Sequence, residues 1–360
     1  MMCPACVAEM PDEDLFCENC GLKLGDSASE VPLVGCVCGA AIGETDEDGF
    51  CLRCGRREHR AVSADAVRQS QPSDHIELAL SLHFAAVSDR GRKHARNEDR
   101  FGILEAKGMR AMVVCDGVST STNAEVASTA VSEGVMESLA GALRSSDTAF
   151  PLDAANAVRQ SIIAGAARLT AQASSPEDEN PPSTTVVSAL VSNEAVTVGW
   201  LGDSRAYWID LPEPPGNAVA LPLTRDHSWL NSVVGSGEMT PEVAAKSPQA
   251  HAITRWIGAD AGDEVELGKI DIVRHPLPAM GGILLLCTDG LWNYFSTPEA
   301  MAGIVRDASR NGEDALSIGR QLVNLANRRG GHDNITAAVL RIEQIKLTHS
   351  PESGHAVRED

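Results

Sequence analysis

The hydrophobic positions of this chain follow two different periods, and these periods separate predicted strands from predicted helices. Short apolar runs and apolar–polar alternation predict β-strands in residues 78–89, 109–117, 184–193, 195–204, 205–210, 266–273, 281–290 and 334–345. Apolar residues at helical spacing predict helices in residues 123–143, 152–173, 298–308 and 314–330. The segment 226–258 is mixed and is predicted to be mostly helical.

The order of these elements predicts the fold class. Strands and helices come in blocks rather than in strict alternation, which favours an α+β protein with an antiparallel sheet over a doubly wound parallel one. Residues 79–342 form the predicted main domain. Residues 56–78 are polar and carry no apolar period, so they are a predicted linker, and residues 343–360 are a predicted disordered tail.

Eight of the ten cysteines fall in residues 1–55 and form two sets of four. The sets are Cys3, Cys6, Cys17 and Cys20, and then Cys36, Cys38, Cys51 and Cys54. Four thiolates on two tight turns suit tetrahedral Zn²⁺, and a reducing cytosol disfavours disulfides. Residues 1–55 are therefore predicted to be a zinc-ribbon module with two structural zinc ions, whereas Cys115 and Cys287 lie in apolar runs and are predicted core thiols.

The formal net charge of −20 disfavours nucleic acid and anionic membrane as partners. The zinc segment is itself acidic, which indicates a protein-contact or spacer role. The chain opens without a basic start followed by an apolar run, and its apolar runs are far shorter than the ~20 residues that span a bilayer. We therefore expect a cytoplasmic protein.

Acidic residues stand at the ends of several predicted strands. Singly, each one is typical of a turn or a helix cap; these residues are Glu98, Asp99, Asp116, Asp203, Asp289 and Asp333. In a sheet sandwich, strand ends from distant parts of the sequence meet at one edge, where unpaired carboxylates would repel each other. A pair of divalent cations removes that repulsion, and such a pair can activate a bridging water for in-line attack on a phosphate ester.

In these motifs the chain resembles the metal-dependent protein phosphatase 2C (PPM) family in its bacterial form. The resemblance covers about residues 79–342 and rests on seven motifs in order: SDRGRKHARNED, VVCDGV, STTVV, GDSRAY, LTRDHSW, CTDGLW and HDNIT. It implies a four-layer α-β-β-α sandwich of two antiparallel sheets. It also implies hydrolysis of phosphoserine and phosphothreonine on proteins by attack of a hydroxide that bridges two metal ions.

The resemblance assigns metal-binding roles to four positions. Asp116 would bridge two Mn²⁺ or Mg²⁺ ions, and the backbone carbonyl of Gly117 would hold one of them. Asp289 and Asp333 would hold the other ion.

Other positions match supporting roles in the family. Glu98 would bind metal through water, Asp99 would orient the ligands, and Asp203 would help to hold a weaker third metal. Asn334 would brace the loop that carries Asp333, and residues 227–255 match a flap beside the active site.

The chain departs from the family where a phosphate-binding arginine usually stands, because His94 occupies that position. Either His94 or Arg96 could take the role, since both would share one face of a strand, or His94 could merely pack. A second departure follows Gly117: Val118 replaces a histidine that acts as general acid in eukaryotic members, and no obvious proton donor remains there. His227 and His332 are weaker candidates for that acid.

These observations favour a metal-dependent serine/threonine phosphatase. Its expected partners are phosphorylated proteins, targets of a serine/threonine kinase. The alternative is a pseudophosphatase scaffold that binds phosphoproteins, which only the missing arginine supports. A zinc-ribbon nucleic-acid protein is disfavoured by the charge.

Overall fold

The computed structural model describes residues 74–145, 152–172, 180–211, 219–250, 252–259, 270–278, 280–295 and 297–343. The predicted zinc module, residues 56–73 of the predicted linker, and the predicted tail after residue 343 lie outside the described residues. No helix in the described ranges is both long enough and apolar enough to cross a membrane.

The described part of the chain contains strands and helices in blocks, as the sequence predicts. The strands are β1 (His75–Ser81), β2 (Phe84–Asp89), β3 (Arg100–Ala106), β4 (Met109–Cys115), β5 (Ser183–Thr184), β6 (Val186–Val191), β7 (Ala195–Leu201), β8 (Arg205–Asp210), β9 (Ala220–Pro222), β10 (Ile257–Gly258), β11 (Asp271–Pro276), β12 (Gly282–Cys287) and β13 (Ile335–Ile342). The helices are α1 (Ala124–Ser145), α2 (Ala154–Gln172), α3 (Trp229–Gly235), α4 (Pro241–Ala244), α5 (Asp289–Trp292), α6 (Pro298–Arg310) and α7 (Ala315–Arg328).

The strands form two main sheets in which every neighbouring pair is antiparallel. One sheet has six strands in the order β1-β2-β13-β12-β8-β9, and the other has five in the order β11-β7-β6-β4-β3. The short strands β5 and β10 form a separate pair. This topology confirms the predicted antiparallel α+β architecture.

Three hydrophobic cores show that the molecule has four layers. Helices α6 and α7 cover the outer face of the six-stranded sheet, helices α1 and α2 cover the five-stranded sheet, and the two sheets pack against each other. Along β12, Ile283 and Leu285 face the helices, whereas Leu284 and Leu286 face the opposite sheet. Because both faces of such a strand are buried, its sequence is a continuous apolar run rather than an alternation.

The structure differs from the sequence predictions in three places. The predicted strand 78–89 is a hairpin of β1 and β2, and β1 begins at His75, four residues before the predicted domain start at residue 79. The segment 226–258 contains two short helices and one short strand, so it is less helical than predicted. Residues 90–99, expected to be extended around His94, form a loop of turns and bends.

Candidate active site

The acids at the strand ends meet at one end of the sandwich. Four of them line a single cavity of about 410 Å³, namely Asp116, Asp203, Asp289 and Asp333. Asp116 follows β4 of the five-stranded sheet, whereas Asp289 follows β12 and Asp333 precedes β13 of the six-stranded sheet. Asp203 lies where the chain crosses between the sheets, from β7 to β8. The sandwich therefore brings together carboxylates that are far apart in the sequence.

Backbone contacts fix the position of Asp116. Its carbonyl oxygen accepts hydrogen bonds from the Thr185 N–H and the Thr184 hydroxyl, each at 2.8 Å. The pairing of this segment with residues 183–185 continues through the Val118 N–H, which donates to the carbonyl of Ser183 at 2.9 Å. Neither backbone bond uses the carbonyl of Gly117, so this carbonyl is left outside the pairing.

Gly117 is required here because a side chain would not fit. A Cβ at this position would lie 2.8 Å from Cβ of Ala124 and 2.9 Å from the carbonyl oxygen of Glu98. Real Cβ atoms essentially never approach other atoms under 3.0 Å. The glycine therefore allows the loop that carries Glu98 to pack against the end of β4.

Asp289 and Asp333 are held next to each other by a close approach of two chain segments. Asp289 is the first residue of α5, after Thr288 at the N-cap. A Cβ on the next residue, Gly290, would lie 1.8 Å from the carbonyl oxygen of Asn334, so only glycine fits. The sequence predicted Asp289 at a strand end, and the structure places it one step further, at the start of a helical turn.

Asp99 is fully buried behind this cluster. Its Oδ2 accepts hydrogen bonds from the hydroxyls of Thr336 at 2.7 Å and Thr288 at 2.9 Å, whereas its Oδ1 has no hydrogen-bond partner among the described residues. Burial raises the pKa of Asp99 to about 8. The two threonines fix this carboxyl group beside the segments that carry Asp289 and Asp333.

Glu98, His94 and Arg96 line a neighbouring cavity of about 420 Å³ instead. Arg96 forms an ion pair with Glu125 at 2.6 Å. His94 Nε2 lies 3.2 Å from Oδ1 of Asp333. Residues 90–99 are not a strand, so the prediction that His94 and Arg96 share a strand face is wrong. Lys93 lines the same cavity.

Burial and mutual repulsion disfavour the charged forms of the clustered acids. Burial, followed by the charges of the neighbouring carboxylates, raises the pKa of Asp116 well above its ordinary value. Burial likewise raises the pKa of Asp203 to about 7 and that of Asp289 to about 6. A cluster of this kind lacks positive charge, which a bound cation would supply.

The donor chemistry fits hard divalent cations. Carboxylate and carbonyl oxygens are the ligands that Mg²⁺ and Mn²⁺ prefer. Two buried carboxylate oxygens, Oδ1 of Asp99 and Oε2 of Glu98, have no hydrogen-bond partner in the part of the chain that the structure describes. Within the described ranges, no three His, Cys, Asp or Glu side chains lie close enough together to hold a metal ion in their present positions. The geometry therefore shows convergence of the predicted ligands on one cavity, without preformed coordination.

The two histidines that were weaker candidates for the general acid have structural contacts. His227 accepts the N–H of Gly202 on Nδ1 at 3.0 Å and lies 2.8 Å from Asp271 through Nε2. Burial lowers the pKa of His227. His332 stacks on the ring of Tyr294. His227 therefore ties the start of the flap to the β7–β8 turn beside Asp203.

Comparison with protein families gives one match to most of this domain. Residues 89–325 match the model of the family described as protein phosphatase 2C. The chain belongs to the protein phosphatase 2C family. It is accordingly a serine/threonine phosphatase of that type.

Relatives of this family agree with the assignment. The serine/threonine phosphatase stp of Listeria innocua is 29% identical over 73% of this chain and 96% of its own length. The crystal structure of the serine/threonine phosphatase Stp1 from Staphylococcus aureus has a TM-score of 0.59 and 29% identity, and the match covers 75% of this chain and 98% of that one. The catalytic domain of PstP in complex with two manganese ions has a TM-score of 0.53 and 25% identity, with 72% of this chain and 98% of that one covered.

Four threonines of this phosphatase 2C domain hold candidate site residues, and the sequence predicted no role for them. Thr288 and Thr336 bond the buried Asp99, and Thr184 and Thr185 bond the backbone of Asp116. In the sequence, Thr288 directly precedes Asp289 in the CTDG motif, and Thr336 ends the DNIT motif. This position inside the motifs is the only sequence signal for their role. Their contacts join residues 189 and 237 positions apart and depend on the packing of the two segments.

Proposed function

We propose that this phosphatase acts with two Mn²⁺ or Mg²⁺ ions held by Asp116, the carbonyl of Gly117, Asp289 and Asp333. Asp203 would contribute to a third, weaker site. The observation that carries this proposal is the convergence of four buried or half-buried carboxylates on one cavity. The relative PstP, whose catalytic domain is described with two manganese ions, supports the same stoichiometry.

When bound, such a cation pair supplies an activated water for in-line attack on phosphorus and neutralises phosphate oxygens. Asp99, fixed by Thr288 and Thr336, keeps the surrounding segments in register. Ser119 hydrogen-bonds Glu98 and lines the cavity beside Val118 and Thr120. The residues after Gly117 thus offer the hydroxyls of Ser119 and Thr120 but no imidazole, so the leaving-group proton is not supplied by a histidine at position 118.

The flap (residues 227–255) and the neighbouring residue Trp256 border the cavity from the side on which we expect the substrate to approach. Ala252, Ile253 and Trp256 line the same cavity as the acids, and the Trp256 side chain is 47% exposed. An exposed aromatic ring at the mouth of a catalytic cavity can contact the peptide around a phosphorylated residue. This placement supports phosphoproteins as substrates, and we propose that they are targets of a serine/threonine kinase in the cytoplasm.

The test is hydrolysis of p-nitrophenyl phosphate by the full chain with Mn²⁺, with Mg²⁺ and with EDTA. We expect turnover with either metal, none with EDTA, and loss of turnover in Asp289→Asn. Asp153→Asn is the matched control, because Asp153 caps α2, is not among the described residues that line the cavity, and asparagine caps equally well. Absence of turnover with Mn²⁺ would favour a scaffold protein, and full activity of Asp289→Asn would contradict the proposed ligand set.

We further propose that residues 1–55 bind two structural zinc ions and contact substrates or partners. The support is the spacing of the eight cysteines, which gives two sets of four thiolates. Zinc analysis of the purified full chain should give two zinc ions per chain, and replacement of Cys3 and Cys6 by serine should leave one. Removal of residues 1–60 should spare hydrolysis of the small ester but weaken hydrolysis of a phosphoprotein, and equal loss on both would contradict the docking role.

A further inference from the structure

We propose that His94 is a positioning residue for Asp333 rather than the residue that binds the substrate phosphate. This inference rests on the proposed function, since Asp333 is a proposed metal ligand. His94 stands at the position where members of the family usually have arginine. Three features of the structure support it.

The first feature is how the Asp333 carboxylate is occupied. Its Oδ1 accepts the backbone N–H of Asn334 at 2.8 Å and lies 3.2 Å from His94 Nε2. Neither contact uses Oδ2. A hydrogen bond and a close imidazole contact on the same oxygen would orient the carboxylate, with the other oxygen available to a cation in the cavity. A donor behind a ligand carboxylate commonly orients it and raises the affinity for the metal.

The second feature is where His94 lies. Among the described residues, those lining the cavity that contains Asp116 and Asp333 do not include His94, which lines the neighbouring cavity with Lys93 and Arg96. The His94 ring therefore contacts Asp333 from the neighbouring cavity rather than from the one in which a substrate phosphate would lie. Its side chain is only 28% exposed, so most of the ring is enclosed by protein.

The third feature is the rigidity of the His94 loop relative to Asp333. The carbonyl of His94 accepts a hydrogen bond from the Arg90 guanidinium. The Asn334 side chain donates to the carbonyls of Arg90 at 2.7 Å and Arg96 at 2.9 Å, on either side of His94. The N–H of Arg92 donates to the carbonyl of Gly331 at 2.7 Å. The two loops are thus fastened together around the His94–Asp333 contact, as a positioning role requires.

The experiment compares Mn²⁺ binding, measured by calorimetry on the full chain, with the KM for p-nitrophenyl phosphate at saturating Mn²⁺. For His94→Ala we expect Mn²⁺ affinity to fall about 10- to 100-fold. KM should stay within about twofold, because no ground-state contact with the substrate is lost. His94→Gln, whose side-chain amide can still donate to Asp333, should recover most of the Mn²⁺ affinity.

Lys93→Ala is the matched control, since Lys93 is an exposed neighbour in the same loop, and its Mn²⁺ affinity should equal that of the wild type. The thermal unfolding of every variant in EDTA shows whether it folds. If His94→Ala does not fold, His94→Gln still tests the proposal. Unchanged Mn²⁺ affinity with a KM raised tenfold or more would overturn the inference in favour of phosphate binding. Unchanged values of both would overturn it in favour of simple packing. Failure of the wild type to bind Mn²⁺ would instead contradict the proposed function.

Discussion

The Asn334 side chain bonds the backbone of Glu98 across 236 positions of sequence. Its Oδ1 accepts the Glu98 N–H at 2.7 Å, while its Nδ2 donates to the carbonyls of Arg90 and Arg96. One nearly buried amide therefore joins the segment of Asp333 to the whole loop before β3. The sequence predicted that Asn334 braces its own loop, and the structure extends that role to the loop of His94 and Glu98.

Asn334→Ala should destabilise the domain strongly. The change leaves a buried N–H and two carbonyls without their partner, at about 1–3 kcal/mol for each buried group left unsatisfied. Urea unfolding with and without Mn²⁺ measures the effect. Asn156→Ala is the control, because Asn156 is an exposed residue of α2 and should change the free energy of unfolding by less than about 0.5 kcal/mol. Equal stability of the two variants would contradict the bracing role.

Gly117→Ala should reduce both stability and turnover. The added methyl group would overlap Ala124 and the backbone of Glu98, and overpacking of this kind costs about 1–3 kcal/mol. Gly141→Ala in α1 is the control, because its nearest neighbour is the flexible end of Arg144 at 4.0 Å. That control should gain about 0.5–1 kcal/mol, since alanine favours a helix over glycine. Both are measured by urea unfolding, and a Gly117→Ala variant as stable and active as the wild type would disprove the steric argument.

Asp116→Asn should abolish stabilisation by Mn²⁺. A ligand present at 100 times its Kd stabilises the folded state by about 2.7 kcal/mol, and the wild type should show such a gain in thermal unfolding. The variant should show none, because it lacks the carboxylate proposed to contact both ions. In EDTA it should be at least as stable as the wild type, since one of several mutually repelling carboxylates is gone. Asp153→Asn should keep the full Mn²⁺ response, and an equal response in Asp116→Asn would exclude Asp116 as a ligand.

His75 should make the stability of the domain depend on pH. Its hydrogen bond to Asp89 at 2.7 Å raises the pKa of His75 from 6.5 to about 9 in the folded protein. Because the folded pKa is the higher one, this stabilisation is fully present below pH 6.5 and is lost as the pH rises through 9. The effect should be small, since the side chain is 47% exposed.

The measurement is the difference in free energy of unfolding between the wild type and His75→Gln, at pH 6 and at pH 10. We expect the wild type to be more stable at pH 6 and the difference to shrink towards pH 10. A difference that stays constant over this range would show that His75 acts through packing rather than charge.

The sequence alone determined the class of the fold and the set of acids. Strands such as β12 are buried on both faces, so their apolar runs are unambiguous, and the long helices have helical periods that local geometry dictates. The acids were identifiable because Asp116 and Asp289 each follow an apolar strand and precede a glycine. These features depend on neighbouring residues in the chain, and neighbouring residues are what a sequence pattern records.

The tertiary structure decided which groups hold those acids in place. The contacts of Thr288 and Thr336 with Asp99, of Asn334 with Glu98, and of His94 with Asp333 each join two separate segments. The loop 90–99 has no hydrophobic period, so strand geometry could not predict the direction of the His94 side chain. The packing of this loop on residues 331–334 set that direction. Such contacts are fixed by the closure of the sandwich, whose strand ends bring distant backbone together.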